Sequence, residues 1–281
     1  MHARQRLLRH ARRGPRGRRR RELRETLALG DEELARWEDV SRRLRIAFHG
    51  EGLISQFEGY EKLAELDWDG YRAKYGDIHR LDRILEAEGG DVNRYQAAKQ
   101  ADVLMLFYLF SAEELEELFA RLGYPFARES IPRNVAYYAA RTTHGSTLSR
   151  VVDSWVLARS DRAGSWRLFL EALESDVADI QGGTTADGIH LGAMAGTVDL
   201  VQRGYTGIVT RGDVLWLNPR LPQELQCLRL AVRYRGLTLE LRVTHEALEV
   251  HARASNAAPI ALGVVEEVHT LKAGETRRFA L

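Results

Sequence analysis

Residues 140–150 read ARTTHGSTLSR, with three threonines, two serines, a histidine and a glycine ahead of a helical pattern. A helix start needs one capping hydroxyl. Unpaired N–H groups and the partial positive charge of a helix N-terminus, joined by extra hydroxyls, can surround an oxyanion. Gly145, Ser146 and Thr147 therefore read as a phosphate seat, with His144 adding charge or a further donor. An N-cap with polar neighbours is the plainer alternative. The stretch lacks the lysine of a Walker loop, so nucleotide binding is not implied.

A second cluster, DIQGGTTADGIHLGAMAGT at 179–197, offers two glycines for close backbone approach, hydroxyls at Thr184 and Thr185, and His190 at the start of another helix. Gly192, Ala193, Ala195 and Gly196 read as packing residues. A third, KQAD at 99–102, sets Lys99 and Gln100 just before the most apolar stretch of the chain, where a charged or amide group needs a partner. A sugar hydroxyl or a salt bridge would each serve. Glu58 and Glu61 read as a solvated face, and His245 and His251 alternate along strands without a third ligand, so no metal site is expected.

The elements that must hold these residues change character along the chain. GDEELARWEDVSRRLRIAF places Leu34, Trp37, Val40, Leu44 and Ile46 at mostly helical spacing, with acids first and bases last. Residues 47–96 suit a long connection with short helical pieces. Val103 to Phe110 is apolar on every side, as in a buried strand or a helix surrounded by others. Ser111 and Glu114 form an S-x-x-E pattern before a helix ending at Gly123, and Pro132 suits the first turn of the next. In TLSRVVDSWVLARS, Leu148, Val151, Val152, Trp155 and Val156 make one buried face. After Leu215 the period becomes 2. LRLAVRYRG and LTLELRV form a hairpin across Arg-Gly, and LEVHA and IALGVV add strands. The fold class expected is mainly α with a β appendage: a helical toroid segment at 21–213, then a small antiparallel sheet or sandwich at 214–281 that leans on the helices.

The chain has 281 residues, 44% of them hydrophobic, which is enough for a real core. Ten of its 41 basic residues fall within residues 1–21, which hold no acid; the remainder carries 31 against 40 acidic residues. Residues 1–20 read as an Arg-rich extension, disordered or an artefact of GC-rich coding, rather than a nucleic-acid arm. A single cysteine, Cys227, excludes an internal disulfide framework. No stretch approaches the roughly 18 apolar residues of a membrane span, and a cytoplasmic protein is expected.

KQADVLMLFYLF, YYAARTTHGSTLSRVV, DIQGGTTADGIHLGAMAGTVDLVQRGYTG and LWLNPRLP, in that order, resemble the C-terminal half of glycoside hydrolase family 65, from about Arg20 to the end. That family includes trehalose, maltose and kojibiose phosphorylases and some hydrolases. The resemblance implies part of an (α/α)6 barrel closed by a β domain, with about eight helices against the twelve of a full toroid. It implies inverting phosphorolysis of an α-glucoside, with inorganic phosphate as co-substrate, no cofactor, and release of β-glucose 1-phosphate. By motif, Lys99 and Gln100 resemble the contacts to the glucosyl hydroxyls, and His144, Gly145, Ser146, Thr147 and His190 the phosphate pocket.

The partners implied are an α-linked glucose disaccharide and phosphate, with a homodimer as the candidate assembly and neither nucleic acid nor membrane. The family's general acid is a glutamate near an upstream Gly-Pro-Asp-Glu type motif absent from this sequence, so no catalytic residue is assigned here. The chain reads as a fragment, poorly soluble and inactive alone, with apolar faces such as Val103–Phe110 left without neighbours. Ala139 stands where family members carry a glutamate after the paired tyrosines. THGSTLS holds no carboxylate to activate water, which favours phosphorolysis over the hydrolase alternative; a non-catalytic sugar-binding scaffold is the third reading.

Overall fold

The computed structural model describes residues 23–281 apart from 181, 182 and 184. The Arg-rich extension, and Thr184 of the second cluster, lie outside the described residues. Two compact units are present, one from the N-terminal residues to 46 with 113–127, the other from 47–112 and 128–281.

In the first unit, helix α1 (Asp31–Arg43) has three acids in its first turn and two arginines in its last, matching the helix dipole. Arg121 reaches back to it, donating to Ser41 Oγ at 2.6 Å and pairing with Glu38 at 2.6 Å.

The second unit opens with a short hairpin, β1 (Phe48–His49) and β2 (Leu53–Ile54), within what the sequence suggests is only connection and helical pieces. Helices α2 (Trp68–Tyr75) and α3 (Leu81–Ala87) follow, then α4 (Asp102–Leu109) and, after α5 (Ala112–Leu122) of the first unit, α6 (Ser130–Ala139). Asn134 of α6 secures the hairpin by accepting from Ile54 N at 2.9 Å, and Tyr138 donates to Ile54 O at 2.5 Å.

Helices α7 (Thr147–Leu157) and α8 (Arg162–Glu174) pack antiparallel, close enough for Ser154 Oγ to donate to Ser165 O at 2.7 Å. Helix α9 (Leu191–Asp199) runs on into a π-helical turn, Leu200–Tyr205. A Cβ at Gly196 would stand 2.5 Å from Val151, and one at Gly204 3.3 Å from Trp155. These contacts rise together along both helices, so α7 and α9 run in the same direction.

The apolar stretch at 103–110 is helical, with Val103, Leu104 and Phe107 buried, so the expectation that this face lacks neighbours is corrected. The most exposed group of apolar residues lies on and between α8 and α9, at Leu173, Val177, Ile189, Leu191 and Val198, with Val177 85% exposed.

Two four-stranded sheets complete the chain. One orders as β10-β7-β6-β5, the other as β3-β4-β8-β9. Strands β5 (Leu228–Tyr234) and β6 (Leu237–Val243) pair in the expected register, with Arg235 at φ 49° and Gly236 at φ 88° closing a two-residue turn. Strand β7 is Ala247–Ala252 and β10 is Thr276–Ala280. In the other sheet, β4 (Val214–Leu217) and β9 (Glu267–Leu271) flank β8 (Ile260–Val264), which pairs with β4 in parallel, and β3 (Val209–Arg211) is the edge strand beside β4. The expected small β domain is thus present as two sheets, one antiparallel and one mixed. Leu237, Leu239, Leu241, Leu248 and Val250 of one sheet share a core with Leu215, Leu262 and Val264 of the other. Ala158, Phe169, Leu200 and Tyr205 join that core from the helices, so the β portion does lean on them.

Candidate active site

The loop 141–147 is held beside residues 98–100 by backbone pairing. Ala98 N donates to Arg141 O at 3.0 Å, and Thr143 N to Ala98 O at 2.9 Å. Two of the three motifs therefore meet. A Cβ at Gly145 would stand 3.0 Å from Lys99 Cγ and 2.6 Å from His79 O, so glycine is what lets the chains approach. Ser146 caps α7, its Oγ accepting from Leu148 N at 3.3 Å while donating to Gln100 Oε1 at 3.3 Å. Gln100 thus has its partner. Lys99, half-exposed, has one too: its Nζ lies 2.7 Å from Asp82 Oδ2, and Arg80 forks onto the same carboxylate. Burial alone would raise the Asp82 carboxyl, but the hydrogen bonds from Arg80 and Lys99 hold it well below the usual range. Thr147 opens α7.

His144 sits at φ 54°, a left-handed conformation that is costly for a residue with a side chain. Its carbonyl accepts from Arg150 Nη1 at 3.0 Å. Ser149 Oγ donates to Ser146 O, so at 3.1 Å from His144 Nδ1 it accepts that atom's proton. Burial, then the nearby Arg150 guanidinium, lowers the ring to about 4. Of the two roles open to His144, charge is therefore removed at neutral pH.

Arg150 is only 1% exposed and also reaches Glu171 Oε2 at 3.0 Å and His79 Nε2 at 3.1 Å. One guanidinium thus ties the strained loop residue to α8 and to the segment before α3. Asp153, one turn on, is 2% exposed, its Oδ2 3.8 Å from His144 Nε2. Burial raises its carboxyl to about 7.

His190 stands at the mouth of α9. Asp176 accepts from its backbone N at 2.8 Å and from its ring Nδ1 at 2.6 Å, which fixes a proton on Nδ1 and leaves Nε2 to turn elsewhere. The ring is about a third exposed. Among the described residues, no hydrogen bond or ion pair joins His190 to the loop. The relation is through the helices: Val151 and Gly196 lie about 6 Å and about 7.5 Å past the first residues of α7 and α9, so the two N-terminal ends are nearly level.

Comparison with known proteins now bears on the site. The glycosyl hydrolase family 65 central catalytic domain matches residues 4–199, and the C-terminal domain of the same family matches residues 208–271. The chain belongs to glycosyl hydrolase family 65. The family match begins well upstream of Arg20, so the likeness reaches into the Arg-rich segment, which reads by eye as resembling nothing in the family. Trehalose 6-phosphate phosphorylase of Lactococcus lactis is 36% identical over 89% of this chain and 32% of its own length. An uncharacterized glycosyl hydrolase of Mycobacterium tuberculosis is 53% identical over 92% of this chain and 19% of its own length. A solved chain from the human microbiome that carries the name kojibiose phosphorylase superposes with a TM-score of 0.70 at 21% identity, over 92% of this chain and 32% of that one. The chain thus spans a third or less of these relatives.

Within this family 65 chain, sequence reasoning missed Arg150, Asp153, His79 and Asp176. Arg150 and Asp153 bracket the buried pair Val151–Val152, and two charges i, i+3 apart beside a core stripe were the available signal. Asp176 and His79 lie in loops, where nothing in the sequence marks them. No helix of the described residues is long and apolar enough to cross a membrane.

Proposed function

We propose that this chain carries the glucosyl and phosphate subsites of an inverting α-glucoside phosphorylase acting on trehalose or a related diglucoside. The observation that supports the reading is the Ser146–Gln100 contact at 3.3 Å, which brings the motif proposed for the sugar beside the one proposed for phosphate. A phosphate oxygen attacks the anomeric carbon as the glycosidic C–O bond breaks on the opposite face, giving β-glucose 1-phosphate. The departing sugar oxygen takes a proton from a general acid. The amides of residues 145–147, with the Thr147 hydroxyl and His190 Nε2, would hold the dianion. Lys99 and Gln100 would position the glucosyl ring. No residue of this chain is assigned as the acid, and turnover is expected only from a polypeptide that carries the rest of the catalytic domain. The 36% identity to a trehalose 6-phosphate phosphorylase makes the phosphorylated diglucoside a substrate to test beside trehalose.

The test is calorimetric and chromatographic. The chain should show a phosphate-binding event at this loop that disappears in the Ser146→Ala/Thr147→Ala variant, and should release no glucose 1-phosphate from trehalose, trehalose 6-phosphate or kojibiose. Phosphate binding indifferent to that variant would overturn the seat. Glucose 1-phosphate produced by the chain alone would overturn the need for further catalytic residues, and free glucose made without phosphate would favour hydrolysis. A homodimer is proposed as the assembly, and sedimentation velocity reads it directly.

A further inference from the structure

At the far end of α7, away from the loop just described, lies a concavity of about 150 Å³ lined by Ala158, Arg159, Arg162, Gly204, Asn218 and Arg220. Its walls come from four places in the chain: the end of α7, the first residue of α8, the π-helical turn, and the segment after β4. Three arginines line it, and no aspartate or glutamate does. That is unexpected in a body with more acids than bases beyond residue 21.

Many arginines of the described residues are neutralised: Arg24, Arg42, Arg121, Arg141, Arg150, Arg203, Arg235 and Arg253 each pair with a carboxylate. Among the described residues, Arg159, Arg162 and Arg220 have no such partner within 4.0 Å. Their placement adds to the cost. Arg162 is the first residue of α8, at the positive end of that helix's dipole, where a cation is disfavoured. The Asp161 side chain beside it is occupied as the helix cap, accepting from Gly164 N at 2.9 Å. Like charges gathered at one hollow repel, and a bound anion would relieve both the repulsion and the dipole.

We propose that this hollow binds a small phosphate-class dianion, either inorganic phosphate or the phosphoryl group of a hexose phosphate. Guanidinium forks match tetrahedral oxyanions in bidentate geometry, and the exposed Asn218 amide adds a neutral donor. The volume corresponds to about five waters, enough for one phosphoryl group. The site is separate from the candidate active site, since α7 spans about 16 Å between them.

Isothermal titration at constant ionic strength, with inorganic phosphate and with glucose 6-phosphate as probes, tests the proposal. Wild-type chain should show a phosphate-binding event that weakens about a hundredfold or more in Arg162→Gln/Arg220→Gln, the scale of two lost charge-assisted hydrogen bonds. It should persist in Ser146→Ala/Thr147→Ala, and Arg229→Gln, an exposed arginine on β5, should leave it unchanged. The tighter of the two probes names the source of the phosphoryl group. Equal binding by wild type and Arg162→Gln/Arg220→Gln would overturn the proposal, as would an equal loss in Arg229→Gln. Binding lost only in Ser146→Ala/Thr147→Ala would also end it, while leaving the reading of the active site intact. Arg159→Gln, with circular dichroism, separates loss of binding from loss of fold.

Discussion

Replacing Asp153 by asparagine probes the electrostatics behind the hydroxyl loop. Asp153 is buried on α7 with Oδ1 unpartnered, and burial raises its carboxyl to about 7. Between its ordinary value of 3.8 and about 7, the native chain keeps a proton that the unfolded chain has released. Its stabilising contribution is therefore full below the unfolded value and is lost as pH rises through the folded one, about 4 kcal/mol in all. His144 works in the opposite sense. Its folded value of about 4 lies below the ordinary 6.5, so its neutral form costs nothing above that pH, and about 3 kcal/mol is lost as pH falls towards 4. The two slopes offset between about pH 4 and pH 6.5.

Asp153→Asn removes one slope and leaves the other. At pH 8 the variant should be more stable by about 2 kcal/mol, once the cost of an amide with the same unpartnered side is deducted. The gain should vanish near pH 5, because ionisation of the unfolded wild-type carboxyl there costs only about 1.6 kcal/mol, about what the unpartnered amide costs. Urea unfolding of both proteins at pH 5, 6.5 and 8 reads the difference directly, since all other titrating groups are shared. A variant less stable than wild type by about 2 kcal/mol at pH 8 would refute the reasoning. It would mean that Asp153 is ionised and serves as counterion to a charged His144.

Two further substitutions test the loop. Gly145→Ala should cost about 2 kcal/mol and remove the phosphate-binding event that depends on Ser146 and Thr147, because the new methyl meets a backbone carbonyl at 2.6 Å that no side-chain rotation can clear; an unchanged melting temperature would contradict this. Arg150→Met should cost about 3 kcal/mol in urea unfolding, since it strips partners from His144 O, His79 Nε2 and Glu171 at once. A loss under about 1 kcal/mol would show that the left-handed loop residue needs no such tie.

Local pattern made much of this fold legible and none of its long-range charge pairing. The Arg235–Gly236 turn and the alternation around it fix the β5–β6 register, because both are properties of neighbouring residues. The parallel pairing of β8 with β4 joins strands far apart in sequence, and alternation carries no direction. The apolar stripe on α7 appears as expected at Val151 and Val152, yet Arg150 and Asp153 are buried beside them. Charged residues beside a stripe read as solvent-facing until their partners, Glu171 among them, are brought in from another helix. Likewise Val103–Phe110 reads as the face in need of cover, while the exposed one runs from Leu173 to Val198. Which side of an all-apolar helix finds neighbours depends on tertiary contacts absent from its own sequence.

The account's central claim is that the level mouths of α7 and α9 hold one phosphate beside Lys99 and Gln100. Tungstate, a heavy mimic of phosphate, soaked into crystals of the chain and located by its anomalous scattering, tests it most directly. The account predicts a peak about 3 Å from the amides of residues 145–147, with His190 as a second wall. Empty amides at 145–147, in crystals that bind tungstate elsewhere, would contradict it.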